Sequence, residues 1–205
     1  MKLYYAPGAC SLAVHIVARE AGLPFDLVKV DLAKHRTERG DDLAAVTPKN
    51  YVPVVELEDG QILTEVAALV QWAAEQRPEA GLLPPAGTME RFRVTEWLNF
   101  IATELHKGFS PMWHPENAPS TLRDARVKLD ARFAVLELEL EDRTWLLGDR
   151  YTVADAYAFT ILNWAKMLKV DLQPYPRLRA YLARVEARPA VQQALAAEGL
   201  LRMAA

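Results

Sequence analysis

The stretch from Met1 to Pro24 reads as a strand, a sharp turn and a helix, and it puts Cys10, the chain's single cysteine, in the first turn of that helix. Leu3, Tyr4 and Tyr5 carry the strand, and Pro7-Gly8 breaks regular structure and reverses the chain. Ser11 offers an N-cap oxygen beside Cys10. Apolar Leu12, Ala13, Ile16, Val17 and Ala21 then recur on one face of a helix, and Gly22 followed by Pro24 ends it. A thiol at that position meets orphan backbone N–H groups and the positive end of the helix dipole, which stabilise a thiolate or another anion and lower the thiol's pKa. A lone cysteine is more often an inert buried hydrophobe, so the segment by itself leaves both roles open.

The chain has 205 residues, enough for one large domain or two small ones, and with 51% hydrophobic residues it has ample material for a core. A net charge of −3 and no clustering of Lys and Arg exclude a nucleic-acid footprint. The longest uncharged apolar run, Ala156 to Ala165, is too short to span a bilayer and is interrupted by Thr160 and Asn163. The chain starts directly with a strand, without a charged and then apolar leader, so no signal peptide is expected. One cysteine cannot form an internal disulfide, and a reducing cytoplasm is the expected location. His15, His35, His106 and His114 contain no i,i+4 ligand pair, so no metal is expected.

Past the first helix, residues 25–31 form a β-branched run that leads into a polar loop over 34–40. Residues 41–46 suit a short helix with acidic residues in its first turn. Val52 to Leu57, the Glu58-Asp59-Gly60 turn and Gln61 to Thr64 make a hairpin, because Asp-Gly is a strong hairpin signal. Pro53 cannot donate to a ladder, which implies an edge, a bulge or a cis bond. Val66, Leu69, Val70 and Ala73 are spaced for a further helix. The order β-α-β-α-β-β-α predicts a thioredoxin-like α/β domain over residues 1–80.

The Pro- and Gly-rich segment 81–87 marks a linker, and strand signals vanish beyond it, so residues 88–205 are expected to form an all-helical domain. In the helix over 88–109, Val94, Leu98, Ile101 and Leu105 cluster within about 60° at about 100° per residue. Asn99, Thr103 and His106 form a second, polar cluster roughly 140° away, which points to either a site or a solvated face. Phe109 to Pro115 offers aromatic contacts for an apolar ligand or a partner, and Leu122 to Leu140 continues as a long amphipathic helix. Thr152 and Asp155 fit a capping box before an apolar run, which predicts a buried central helix and a structural Asp155.

Five motifs together resemble the bacterial beta class of glutathione S-transferases: Tyr4 to Leu12, Val52-Pro53 before the Asp-Gly hairpin, Thr64-Glu65, Glu96 to Lys107, and Thr152 to Tyr157. The resemblance covers essentially the whole chain. It implies a cytoplasmic homodimeric detoxification enzyme that joins the thiolate of glutathione, its co-substrate, to an apolar electrophile. Cys10 stands where the class has the cysteine that lies against the glutathione sulfur, and His106 matches its second catalytic residue. The backbone of Val52 would pair with the cysteinyl part of glutathione, while Glu65 and the Val66 N–H would hold the γ-glutamyl end. Asn99, Thr103, Glu104, Leu105 and His106 would complete the pocket, partly across a dimer interface.

His35 stands where the class often has Lys for the glycyl carboxylate, and Val66 where Ser or Gly is common. Two lost polar contacts imply glutathione binding weaker than in a typical relative by about 1–2 kcal/mol. Two other activities fit the same residues: a glutaredoxin-like thiol transferase using Cys10 alone, or a catalytically weak binder of glutathione or apolar ligands.

Overall fold

Strand β1 (Lys2–Tyr5) buries Leu3, Tyr4 and Tyr5 in the middle of a five-stranded sheet. The computed structural model describes residues 1–201. After β1 come α1 (Ser11–Glu20), β2 (Asp26–Asp31), β3 (Arg36–Thr37), α2 (Leu43–Val46), β4 (Val54–Glu56), β5 (Ile62–Thr64) and α3 (Val66–Glu75). The strand order is β3-β2-β1-β4-β5. β2 runs parallel to β1, with Leu3 opposite Leu27, and β4 runs antiparallel to it, with Leu3 opposite Val55. This is the thioredoxin-like arrangement expected from the sequence. Its core under the Cys10 turn contains Tyr4, Ala6, Val30, Leu43, Val52 and Val54.

Several details differ from expectation. β3 arises inside the predicted polar loop, where two residues pair antiparallel with the edge of β2. The strand expected from Val52 to Leu57 is confined to Val54–Glu56, and the Val52–Pro53 bond is cis. The hairpin turn forms as the Asp-Gly pair requires, with Gly60 at φ +82° and the Gln61 N–H bonded to Asp59 Oδ1 at 3.1 Å. α1 is not one-sided: Ser11 to Ala18 are all buried, because α1 packs on β1, on α3 and on the last helix of the chain.

The second part starts with α4 (Met89–Phe100), whose Thr88 cap accepts the Arg91 N–H. The same helix then widens to a π-helical turn over Ile101–His106 and returns to α geometry in α5 (Lys107–Phe109). α6 (Pro119–Glu139), α7 (Val153–Leu162), α8 (Trp164–Met167), α9 (Pro176–Glu186) and α10 (Pro189–Ala197) follow. All ten residues of α7 are buried, as its uniformly apolar sequence demands. The capping box is complete. Asp155 Oδ2 accepts from the Thr152 N–H at 2.8 Å, and Oδ1 accepts from the Leu146 N–H at 2.9 Å and from the Tyr181 hydroxyl at 3.0 Å.

Packing divides the described residues into Met1–Leu83 with 188–201, and Pro84–Ala187. Residues 188–201, within the stretch 88–205 expected to be helical, group with the first unit, and residues 202–205 lie outside the described residues. α10 packs on α1, where Arg188 Nη2 bonds Glu20 Oε2 at 2.9 Å. An amphipathic helix announces that it has an apolar face without announcing which partner covers it. Among the described residues, no helix is long and apolar enough to cross a membrane.

Candidate functional site

The Cys10 turn is fastened from three directions. Cys10 adopts helical dihedrals at the N-cap of α1, and its Sγ lies 3.5 Å from the carbonyl oxygen of Val52, the residue before the cis-proline. Ser11 does not cap α1. Its hydroxyl turns back, accepting from the Ala6 N–H at 3.2 Å and donating to the Ala6 carbonyl at 3.3 Å, so it staples the turn to the end of β1. The Gly8 N–H donates to Glu198 Oε2 at 2.9 Å, and Glu198 Oε1 lies 2.9 Å from Nδ1 of His15. His15 and Glu198 are both buried and sit 183 residues apart in sequence, so no local pattern could have paired them. The half-buried thiol thus occupies a helix N-terminus held rigidly by backbone and side-chain bonds, where an anion is favoured.

A second group gathers at the start of α3. Glu65 is the N-cap residue, in an unusual conformation for a side-chain-bearing residue (φ +72°, ψ 120°). Its Oε1 accepts from Lys49 Nζ and from the Tyr51 hydroxyl, each at 2.6 Å. That carboxylate is the main reason why both the Tyr51 phenol and the Lys49 ammonium hold their protons more tightly than usual. The N–H groups of Val66 and Ala67, at the first two positions of α3, have no acceptor within the helix. Val66 is buried, so its backbone rather than its side chain is the chemical handle. His35, also at positive φ (51°), places Nδ1 3.0 Å from the Asn50 carbonyl, which ties the loop after β2 to the segment carrying Lys49 and Tyr51. Lys49 and Tyr51 were missed from sequence because the bonds span 16 and 14 residues and depend on the backbone turn at Glu65.

In the helical unit the polar trio divides. Asn99 and Thr103 are exposed, and each bonds back along the helix: Asn99 Nδ2 to the Thr95 carbonyl at 2.9 Å, and Thr103 Oγ1 to the Asn99 carbonyl at 3.0 Å. His106 is drawn inward, with Nδ1 2.7 Å from the Tyr157 hydroxyl and its ring edge-on to Trp164 at 5.0 Å. Trp164 also packs against Phe109 and Trp113, which gives an aromatic cluster on the predicted apolar-contact segment. Met112 and Trp164 are buried, and Trp113 remains exposed. Glu104 is engaged by Arg132 at 2.6 Å. Leu105 is fully buried, so its side chain belongs to the core and only its backbone could meet a ligand. The π-helical turn spans Ile101 to His106 and holds four of the predicted site residues, Thr103, Glu104, Leu105 and His106; such turns are frequent where helices carry function. Among the described residues, no group of three His, Cys, Asp or Glu side chains could hold a metal ion.

Two family models match this chain: the glutathione S-transferase N-terminal domain over residues 8–76 and the glutathione S-transferase C-terminal domain over residues 100–189. The glutathione S-transferase GstA of Escherichia coli O157:H7 is 47% identical over 200 residues, covering 98% of this chain and 100% of the relative. The chain belongs to the glutathione S-transferase family. Two solved structures point to the same branch as the motifs. A bacterial beta class glutathione S-transferase from Sphingomonas chungbukensis is 42% identical with a TM-score of 0.94. A sphingomonad glutathione S-transferase complexed with glutathione is 41% identical, also with a TM-score of 0.94. Each comparison covers 98% of this chain and 100% of the other.

Proposed function

We propose that this protein conjugates glutathione to apolar electrophiles: the thiolate attacks an electrophilic carbon, a C–S bond forms, the leaving group departs with its electron pair, and the thiol proton passes to solvent. The observation that carries this reading is the Cys10 thiol at the N-terminus of α1, in contact with the backbone carbonyl that precedes cis-Pro53. A ligand thiol bound beside Cys10 would share that electropositive helix end, which favours its ionised form.

In this scheme Cys10 orients the glutathione sulfur or donates to it. It is not the base, because a neighbouring thiolate would repel the one being formed. The Val52 backbone pairs with the cysteinyl part of the ligand, Glu65 and the Val66 N–H hold its γ-glutamyl end, and His35 faces the glycyl carboxylate. His106 donates a hydrogen bond or relays a proton; with Nδ1 engaged by Tyr157, that work falls to Nε2. Asn99, Thr103 and Glu104 contribute polar contacts, and Leu105 contributes through its backbone. Trp113 is a candidate contact for the apolar electrophile. The working form is a cytoplasmic homodimer.

The test is conjugation of a chloronitrobenzene, with chloride as the leaving group. Activity that survives Cys10→Ala and is impaired by His106→Ala supports the scheme. Disulfide reduction that Cys10→Ala abolishes, without conjugation by the unaltered protein, would replace it with thiol transfer. Glutathione binding with neither activity would make the protein a binder.

A further inference from the structure

Lys49 and Tyr51, which no motif singled out, form a cluster with Glu65. Both donors converge on one carboxylate oxygen at 2.6 Å, and the side chains of Lys49 and Glu65 are 43% and 54% exposed. An ion pair so open to water adds little stability, so it separates at small cost. Its charges are of opposite sign and lie side by side, the complement of an α-amino acid, whose ammonium and carboxylate share one carbon. The neutral Tyr51 hydroxyl can stay on Glu65 when the ammonium of Lys49 leaves.

We propose that Lys49 and Tyr51 are specificity residues for the zwitterionic end of the ligand. Lys49 releases Glu65 and takes the α-carboxylate, while Glu65, still oriented by Tyr51, takes the α-ammonium. The inference rests on glutathione being the ligand of this unit, and it sharpens the role of that site: the protein reads both charges of the γ-glutamyl group, one with each half of a pre-existing ion pair. Lys49 also supplies a cation where Val66 lacks a hydroxyl.

The test is calorimetric titration of the full chain with three probes: glutathione, its decarboxylated form (4-aminobutanoyl-cysteinyl-glycine) and its deaminated form (glutaryl-cysteinyl-glycine). Lys49→Met should weaken glutathione about tenfold and leave the decarboxylated probe within about twofold. Tyr51→Phe should weaken glutathione about threefold and leave the deaminated probe within about twofold. If Lys49→Met weakens glutathione and the decarboxylated probe equally, Lys49 only props Glu65 and the inference is overturned. It is overturned as well if the change tightens both, which would make Lys49 a competitor of the ammonium. Absence of glutathione binding to the unaltered protein would remove the proposed function along with this inference, whereas binding without the pairwise selectivity removes the inference alone.

Discussion

Asp155 and Glu65 are both carboxylates at the start of a helix, yet their surroundings have almost nothing in common. Asp155 is completely buried and takes hydrogen bonds from two backbone N–H groups and from the Thr152 and Tyr181 hydroxyls. Glu65 is open to water, sits on a backbone with φ +72°, and receives Lys49 and Tyr51 on one oxygen. The first arrangement is too well satisfied to do anything but hold α7 in place. The second combines an exposed ion pair that opens at small cost with a strained backbone, the combination expected at a binding site.

The sharpest way to break this contrast is Asp155→Ala, which strands the buried donors and should cost about 4 kcal/mol of stability. Urea unfolding would reveal it, and a loss below about 1 kcal/mol would put Asp155 on the same footing as a surface cap. Next is pH. Burial lifts the Asp155 carboxyl to about 6 despite its donors. The folded state therefore holds this proton more tightly than the unfolded chain, so the contribution is complete below about pH 4 and is lost as pH rises through about 6, a swing of about 3 kcal/mol. Asp155→Asn should lack that component; parallel stability curves for the two proteins between pH 4 and 7 would refute it.

At the other carboxylate the effects should appear in binding. Glu65→Gln should weaken glutathione by about 2 kcal/mol, seen by titration, while shifting stability by less than about 0.5 kcal/mol. Glu65→Gly relieves the positive φ and should raise stability by about 1 kcal/mol while impairing glutathione binding. A thermal scan that showed this variant less stable than its parent would mean that Glu65 serves the fold after all.

Much of this was legible from residue patterns. Tyr4, Pro7-Gly8 and the period of α1 located the cysteine turn, Asp-Gly located the hairpin, and Thr152 with Asp155 located the buried helix. What escaped shares one physical cause, dependence on partners distant in sequence. The two residues of β3 have no period of their own and exist because the β2 edge pairs with them. Widening to a π turn at Ile101–His106 changes the angle per residue, so a projection at a constant 100° could not foresee that His106 turns toward Tyr157 while Thr103 stays exposed. The bonds of Lys49 and Tyr51 to Glu65 required the fold itself.

Glu198 clasps both His15 and the Gly8 amide, so a residue at the end of α10 holds the turn that carries Cys10. During synthesis, residues 84–187 emerge before that clasp can close, leaving the first unit unfinished until α10 has been made. The cysteine turn therefore lacks this clasp until α10 has been made.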